Sequence, residues 1–114
     1  MGSGLVQVTD ATFKNLVPHA PVRTTVLDFW SSSCRPCLEL DRILQGLIPE
    51  LPPDVDVFGV STDDNPELVR RFDVLAAPTL VILRGGEPVT RLTGVDRPQV
   101  IRRAIQGASG SAAR

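Results

Sequence analysis

Hydrophobic and polar positions along the chain recur with two periods, one typical of β-strands and one typical of α-helices. Residues 24–30 form a near-continuous apolar run rich in β-branched and aromatic side chains, which predicts a central strand covered on both faces. Residues 84–87, Arg-Gly-Gly-Glu, predict a tight hairpin turn from which the chain returns as an edge strand. The predicted strands are 5–8, 24–30, 55–60, 80–83 and 88–94.

Helical spacing is clearest between Cys34 and Leu51 and predicts the longest helix of the protein. Pro49 lies inside this pattern and should break or kink the last turn, and Pro52 stops the helix. The other predicted helices are 11–17, capped by Thr9 or Asp10; 66–72, opened by Pro66 after the acidic stretch 63–65; and 98–106, capped by Asp96 and ended by Gly107.

The predicted elements follow the order β-α-β-α-β-α-β-β-α. Parallel strands joined by helices and followed by a hairpin form a mixed sheet with helices on both faces. With 114 residues and no internal repeat, the chain is predicted to be a single domain over 1–114. We expect residues 1–4 and 108–114 to be flexible ends.

The composition is that of an ordinary globular protein, with 42% hydrophobic and 22% charged residues. A net charge of −1 gives no electrostatic attraction to nucleic acid or to an anionic membrane. No apolar run approaches the roughly 18 residues of a membrane span. Residues 1–4 lack the basic and apolar regions of a secretory signal. We therefore expect a cytoplasmic protein without nucleic-acid or membrane partners.

Both cysteines of the protein, Cys34 and Cys37, lie directly after the predicted central strand, at the start of the longest helix. The unpaired N–H groups of a helix beginning at Cys34 would favour its thiolate. Pro36 restricts the turn between the two thiols. This context favours a redox-active dithiol in which Cys34 is the nucleophile and Cys37 the resolving partner.

Other uses of the cysteine pair stay open. A zinc site would need more ligands, since the only histidine, His19, lies fifteen residues upstream of Cys34. A structural disulfide across a two-residue loop would constrain the unfolded chain very little. An iron–sulfur cluster would have to be shared between two chains. We expect neither a metal nor a bound cofactor.

Asp28 interrupts the apolar run of the predicted central strand, six residues before the first cysteine. Burial of a carboxylate costs hydration and raises its pKa, which would make Asp28 a proton donor or acceptor near neutral pH. The alternative is a structural carboxylate that faces water or caps a backbone group.

From about Leu5 to Ile105, the sequence resembles the thioredoxin family. The matching segments are Asp28-Phe29-Trp30 followed by Cys34-Arg35-Pro36-Cys37, the third-helix entry Asp63-Asp64-Asn65-Pro66, the cis-proline element Ala77-Pro78-Thr79, and the terminal hairpin Arg84-Gly85-Gly86-Glu87 with Gly94. The resemblance implies a thioredoxin-like three-layer α/β/α sandwich, with a mixed central sheet of about five strands and four helices.

The resemblance also implies roles for individual residues. Cys34 would be the exposed attacking thiolate, Cys37 the buried resolving thiol, and Asp28 the buried acid that helps to deprotonate Cys37 through water. Pro78 would be cis, so that the backbone of Ala77 pairs with an extended substrate segment. The other implied substrate contacts are Trp30, Ser33, Arg35, Pro36 and Gly94.

Four positions depart from the family's usual pattern, among them Arg42, which stands where the long helix usually has a proline. Ser33 stands where a Trp usually precedes the first cysteine, which removes a flat apolar contact from the docking surface. Arg35 replaces a Gly and adds a cation that should stabilise the thiolate and make the disulfide a better oxidant. If Arg35 points into solvent, screening leaves little of this effect. Gly59 replaces a Lys near the buried acid, which should keep the pKa of Asp28 high.

The leading interpretation is a monomeric thiol–disulfide oxidoreductase that reduces disulfides of protein substrates. It would be recharged by a separate electron donor such as a thioredoxin reductase, and it needs no cofactor because the electrons reside on Cys34 and Cys37. One alternative is an oxidant or isomerase, made plausible by Arg35. The other is a thioredoxin-like module that binds a partner without catalysis.

Overall fold

The computed structural model describes residues 2–110 as one sheet flanked by helices. The strands are β1 (Val6–Gln7), β2 (Thr24–Trp30), β3 (Val55–Ser61), β4 (Thr79–Arg84) and β5 (Glu87–Thr93). The helices are α1 (Phe13–Leu16), α2 (Arg35–Leu47), α3 (Pro66–Arg71) and α4 (Pro98–Ser109), and a short 3-10 turn, Ile48–Glu50, follows α2. Within residues 2–110, no helix is long and apolar enough to cross a membrane.

The five strands form a mixed sheet in the order β1-β3-β2-β4-β5. β3 is parallel to both of its neighbours, whereas β4 is antiparallel to β2 and β5 is antiparallel to β4. The central position of β2 explains its near-continuous apolar sequence, because both of its faces are covered. The predicted fold class, a mixed five-stranded sheet with four helices, is confirmed.

Side chains of β2 alternate between two hydrophobic cores. Val26 packs with Leu40 of α2 and Ile101 of α4, whereas Leu27 packs with side chains of α1 and α3. Since successive side chains of a strand point to opposite faces, Asp28 points to the same side as Val26. The buried acid therefore lies under α2, the helix that begins at the cysteine pair.

The end of α2 follows from its proline. The helix was predicted to run to Leu51, with Pro49 breaking its last turn. The α-helix ends at Leu47, and Pro49 lies in the 3-10 turn that follows. Proline lacks an N–H and crowds the preceding turn, so the regular hydrogen-bond ladder cannot continue through it.

The predicted cap of the first helix is wrong. Helix α1 is shorter than expected, and Thr12 precedes it without a side-chain cap bond. The carboxylate of Asp10 instead accepts hydrogen bonds from the backbone N–H groups of Glu67 and Leu68, at 3.1 and 2.9 Å. Asp10 therefore satisfies the free donors of α3, a helix more than fifty residues away in sequence.

The predicted start of the last helix at Pro98 is confirmed, but its predicted cap and its predicted end are wrong. The cap position is Arg97 rather than Asp96, and the helix passes through Gly107 to Ser109. Gly110 follows it with a φ of 78°, the left-handed conformation that glycine favours after a helix. The guanidinium of Arg84 donates to the carbonyl of Ala108 at 3.0 Å, which ties the last turn to β4. Of the predicted flexible segment 108–114, Ala108 and Ser109 belong to α4, and 111–114 lie outside the described residues.

Candidate active site

The cysteine pair lies at the start of α2, just beyond the carboxyl end of the central strand. Cys34 has an extended backbone and precedes the first helical residue, and its sulfur accepts a hydrogen bond from the N–H of Cys37 at 3.2 Å. Pro36 occupies the first turn, where its missing N–H has no partner to lose. The helix therefore begins by directing a backbone donor at the sulfur of Cys34.

Cys34 and Cys37 form a disulfide with 5.3 Å between their Cα atoms. Cys34 is partly exposed, whereas Cys37 is buried, with 3% of its surface accessible. A thiol or disulfide from another protein can thus approach one sulfur of the pair and not the other. This asymmetry separates an attacking sulfur from a resolving one.

Asp28 is fully buried beneath α2, and neither of its carboxyl oxygens has a hydrogen-bond partner among the described residues. Burial raises the pKa of Asp28 from 3.8 to about 7, and the negative charge of Asp41 adds to the rise. A carboxyl group with that pKa exchanges its proton at neutral pH, as general acid–base chemistry requires. The predicted rise in the pKa of Asp28 agrees with this environment.

The register of the sheet brings three chain segments together at this end. Phe29 of β2 pairs with Thr79 of β4, and Thr79 pairs with Thr93 of β5. The residues next along the chain, Trp30, Pro78 and Gly94, therefore lie at one edge of the sheet, beside the loop that leads to Cys34.

The Ala77–Pro78 peptide bond is cis, as predicted. The carbonyl of Pro78 accepts a hydrogen bond from the N–H of Gly94 at 2.9 Å, which joins the two loops. Gly94 has a φ of 83°, a conformation that side chains rarely tolerate, and the space where its Cβ would lie is open. Ala77 is partly exposed and Pro78 is buried, so Ala77 is the accessible residue of the two.

The remaining predicted contact residues lie around Cys34. Ser33, Arg35 and Pro36 are exposed, and the first two line a surface depression of about 560 Å³ together with Cys34. Trp30 is partly exposed, and its indole N–H donates to the side-chain carbonyl of Gln7 at 2.9 Å. The structure thus places all these residues near the cysteine pair. The hydrogen bond to Gln7 of β1 fixes the side chain of Trp30.

Sequence reasoning missed three residues of this region. Leu75, just before the cis-proline loop, is large and apolar and is nevertheless 90% exposed. Gln7 holds Trp30 through a contact distant in sequence. Asp41 is nearly buried on α2 although it is charged. The position of Leu75 in the loop between α3 and β4 could have indicated its exposure. Gln7 and Asp41 could not be found in this way, because their roles depend on tertiary contacts.

Comparisons with known proteins agree with this geometry. The thioredoxin family model matches residues 4–107. A thioredoxin of Mycobacterium tuberculosis is 33% identical over 105 residues, which cover 90% of this chain and 88% of the relative. A bifunctional thioredoxin reductase/thioredoxin of Mycobacterium leprae is 35% identical over 91 residues, 78% of this chain and 19% of that protein. The solved structure of a mutant thioredoxin from Halobacterium salinarum superimposes with a TM-score of 0.78 at 23% identity, covering 91% of this chain and 88% of that one, which supports the fold.

A disulfide between one accessible and one buried cysteine on this sheet is the site of a thiol–disulfide oxidoreductase, a class of protein that acts by opening and closing such a bond. The chain belongs to the thioredoxin family, and its activity is that of a protein-disulfide reductase.

Proposed function

We propose that the two cysteines and Asp28 divide the reduction of a protein disulfide among them. The thiolate of Cys34 attacks one sulfur of the target disulfide, whose other sulfur leaves as a thiolate. Cys37 then gives its proton to the Asp28 carboxylate and attacks Cys34 in the mixed disulfide. Two electrons pass to the target, whose two thiolates take up one proton from Asp28 and one from water to give a dithiol, and the Cys34–Cys37 disulfide remains. The difference in accessibility between the two sulfurs is the observation that carries this proposal.

Substrate binding is assigned to the surface around Cys34. An extended target segment would pair with the backbone of Ala77, while Pro78 and Gly94 let it approach the disulfide. The side chains of Ser33 and Arg35 would contact its flanking residues, and Trp30 and Pro36 complete the surface. The partial exposure of Ala77 and the open space beside Gly94 support this assignment.

A separate electron donor returns the disulfide to the dithiol, and a thioredoxin reductase suits that role. The Mycobacterium leprae relative carries a thioredoxin reductase and a thioredoxin in one chain, which supports this pairing. We place the protein in the cytoplasm as a monomeric single domain, since a reductase needs a compartment in which its own disulfide is reduced again.

A trapping experiment tests the division of roles. The variant Cys37→Ser should accumulate a mixed disulfide between Cys34 and a target protein, because the resolving thiol is missing. Cys34→Ser should form none, and both variants should lose turnover with a thioredoxin reductase and an insulin-type disulfide substrate. A mixed disulfide on Cys37 in the Cys34→Ser variant, at the wild-type rate, would contradict the assignment. If the double serine variant kept full effect on a partner, the binding-module interpretation would replace catalysis.

A further inference from the structure

A charged residue lies on the buried face of α2, one helical turn after Cys37. Asp41 is 9% exposed and shares this face with Leu40 and Leu44. Burial of an ionised carboxylate among apolar side chains is costly unless donors compensate the charge. The position therefore requires a reason beyond packing.

The carboxylate of Asp41 is fixed by donors from two segments. The hydroxyl of Ser3 donates at 2.7 Å and the backbone N–H of Gly4 at 3.1 and 3.2 Å. The side-chain amide of Gln45 donates at 2.6 Å from the next turn of α2. These are neutral donors, so they hold the carboxylate in place without cancelling its charge. The segment preceding β1 is thereby joined to the active-site helix.

Asp41 also borders the resolving thiol. It lines, with Cys37, Trp30 and Ser3, a crevice of about 10 Å³. That volume is close to the space of a single water molecule, and the lining offers polar partners. Asp41 is therefore placed where it acts on the local field around the sulfur of Cys37.

Asp28 lies under the same helix, and no cation within residues 2–110 compensates its burial. Its strand neighbours Gly59 and Leu80 are uncharged. The side-chain amide of Gln7 lies in the space that a side chain at position 59 would enter. The other neighbouring segments of this layer bring the apolar residues Leu5, Ile101 and Ile105. The charged residue Arg102 of α4 pairs instead with Glu50, at 3.2 Å. The titratable groups of α2 toward this site are Cys37 and Asp41, and the charge of Asp41 raises the pKa of Asp28 further.

We propose that Asp41 is a positioning residue of the dithiol site, whose fixed negative charge governs when Asp28 can take the proton of Cys37. This inference rests on the proposed role of Asp28 as the proton acceptor. The negative charge of Asp41 disfavours a second negative charge nearby, so Asp28 keeps its proton to higher pH. The resolving step is thereby made more dependent on pH around neutrality.

The variant Asp41→Asn tests this inference, because it removes the charge while its amide oxygen can still accept from Ser3 and Gly4. In the oxidised protein, the carboxyl carbon of Asp28 is followed by NMR against pH. We expect its midpoint to fall in Asp41→Asn and to stay unchanged in Glu87→Gln, a loss of the same charge at an exposed hairpin position. An unchanged midpoint in Asp41→Asn would overturn the inference.

The resolving step provides a second readout. With the pKa of Asp28 about 7, roughly half of Asp28 is ionised at pH 7 and about one-tenth at pH 6. Removal of the Asp41 charge can therefore speed resolution of a preformed mixed disulfide by at most about twofold at pH 7 and about tenfold at pH 6. A purely structural role would change stability and leave the shape of the pH profile unaltered, which would contradict the inference.

If Asp41→Asn does not fold, the coupling between Asp41 and Asp28 can still be tested in the wild-type protein. The carboxyl carbon signal of Asp41 should show an inflection at the midpoint of Asp28, and its absence would overturn the coupling. Failure of the proposed function has a different signature: the Asp28 midpoint would move in Asp41→Asn as expected, but Cys37→Ser would trap no target.

Discussion

Replacement of the buried acid should make the protein more stable at alkaline pH. The unfolded carboxyl group of Asp28 ionises near its ordinary pKa of 3.8, and the folded one near 7. Between these values the folded state binds more protons than the unfolded state, so the free energy of unfolding falls as the pH rises. The benefit of the high folded pKa is complete below about pH 4 and is lost as the pH rises through 7.

The magnitude follows from the size of the shift. A rise in pKa from 3.8 to about 7 corresponds to about 4 kcal/mol across that pH range. The variant Asp28→Asn cannot ionise, so it does not carry this cost. Its stability relative to wild type should improve by about 4 kcal/mol between pH 4 and pH 8. Packing changes caused by the amide are the same at both pH values and cancel in this difference.

Urea unfolding of the oxidised protein, followed by circular dichroism at pH 4 and pH 8, measures the effect. Glu87→Gln is the matched control, because it removes a carboxylate at an exposed position and should keep the same difference from wild type at both pH values. If Asp28→Asn and wild type lost stability in parallel from pH 4 to pH 8, the account of Asp28 as a buried acid with a raised pKa would be refuted.

Three further changes test the surface around Cys34. Arg35→Gly should raise the midpoint pH at which Cys34 is alkylated, since a cation beside the thiolate is lost; an unchanged midpoint makes Arg35 a bystander. Gly94→Ala should cost about 1 kcal/mol in urea unfolding, because φ is 83° there, and should slow reduction of a protein disulfide more than of a small one; equal slowing would count against docking. Leu75→Ser should raise the KM for a protein substrate severalfold without loss of stability, since Leu75 is 90% exposed; an unchanged KM would remove it from the docking surface.

The local sequence pattern was sufficient to predict the structure where a single kind of residue determines the local conformation. The predicted central strand 24–30 coincides with β2 (Thr24–Trp30), because a run of β-branched and aromatic residues has few alternatives to a strand covered on both faces. The cysteine pair and Pro49 could likewise be interpreted from the sequence, because covalent geometry limits what these residues can do. Asp28 could be recognised because a carboxylate interrupts an otherwise apolar strand.

Predictions failed where a side chain acts on a distant segment. Asp10 was assigned to the nearest helix start, but its carboxylate caps α3 through the fold. Gly107 was expected to end the last helix, but Arg84 holds the following turn. Asp41 was not singled out from the sequence, because the donors that make its burial tolerable, Ser3 and Gly4, lie almost forty residues away. Such contacts leave no periodic trace in the sequence.

The reduction potential of the Cys34–Cys37 pair tests the central claim most directly. The protein is equilibrated in thiol–disulfide buffers of graded potential, quenched with acid, alkylated and read by mass. In a two-electron couple, about 30 mV corresponds to about 1.4 kcal/mol, so small differences are resolved. The account predicts a single two-electron transition at or below the cytosolic glutathione potential of about −220 to −260 mV, as a reductase requires. A clearly higher potential, or no two-electron transition at all, would contradict it.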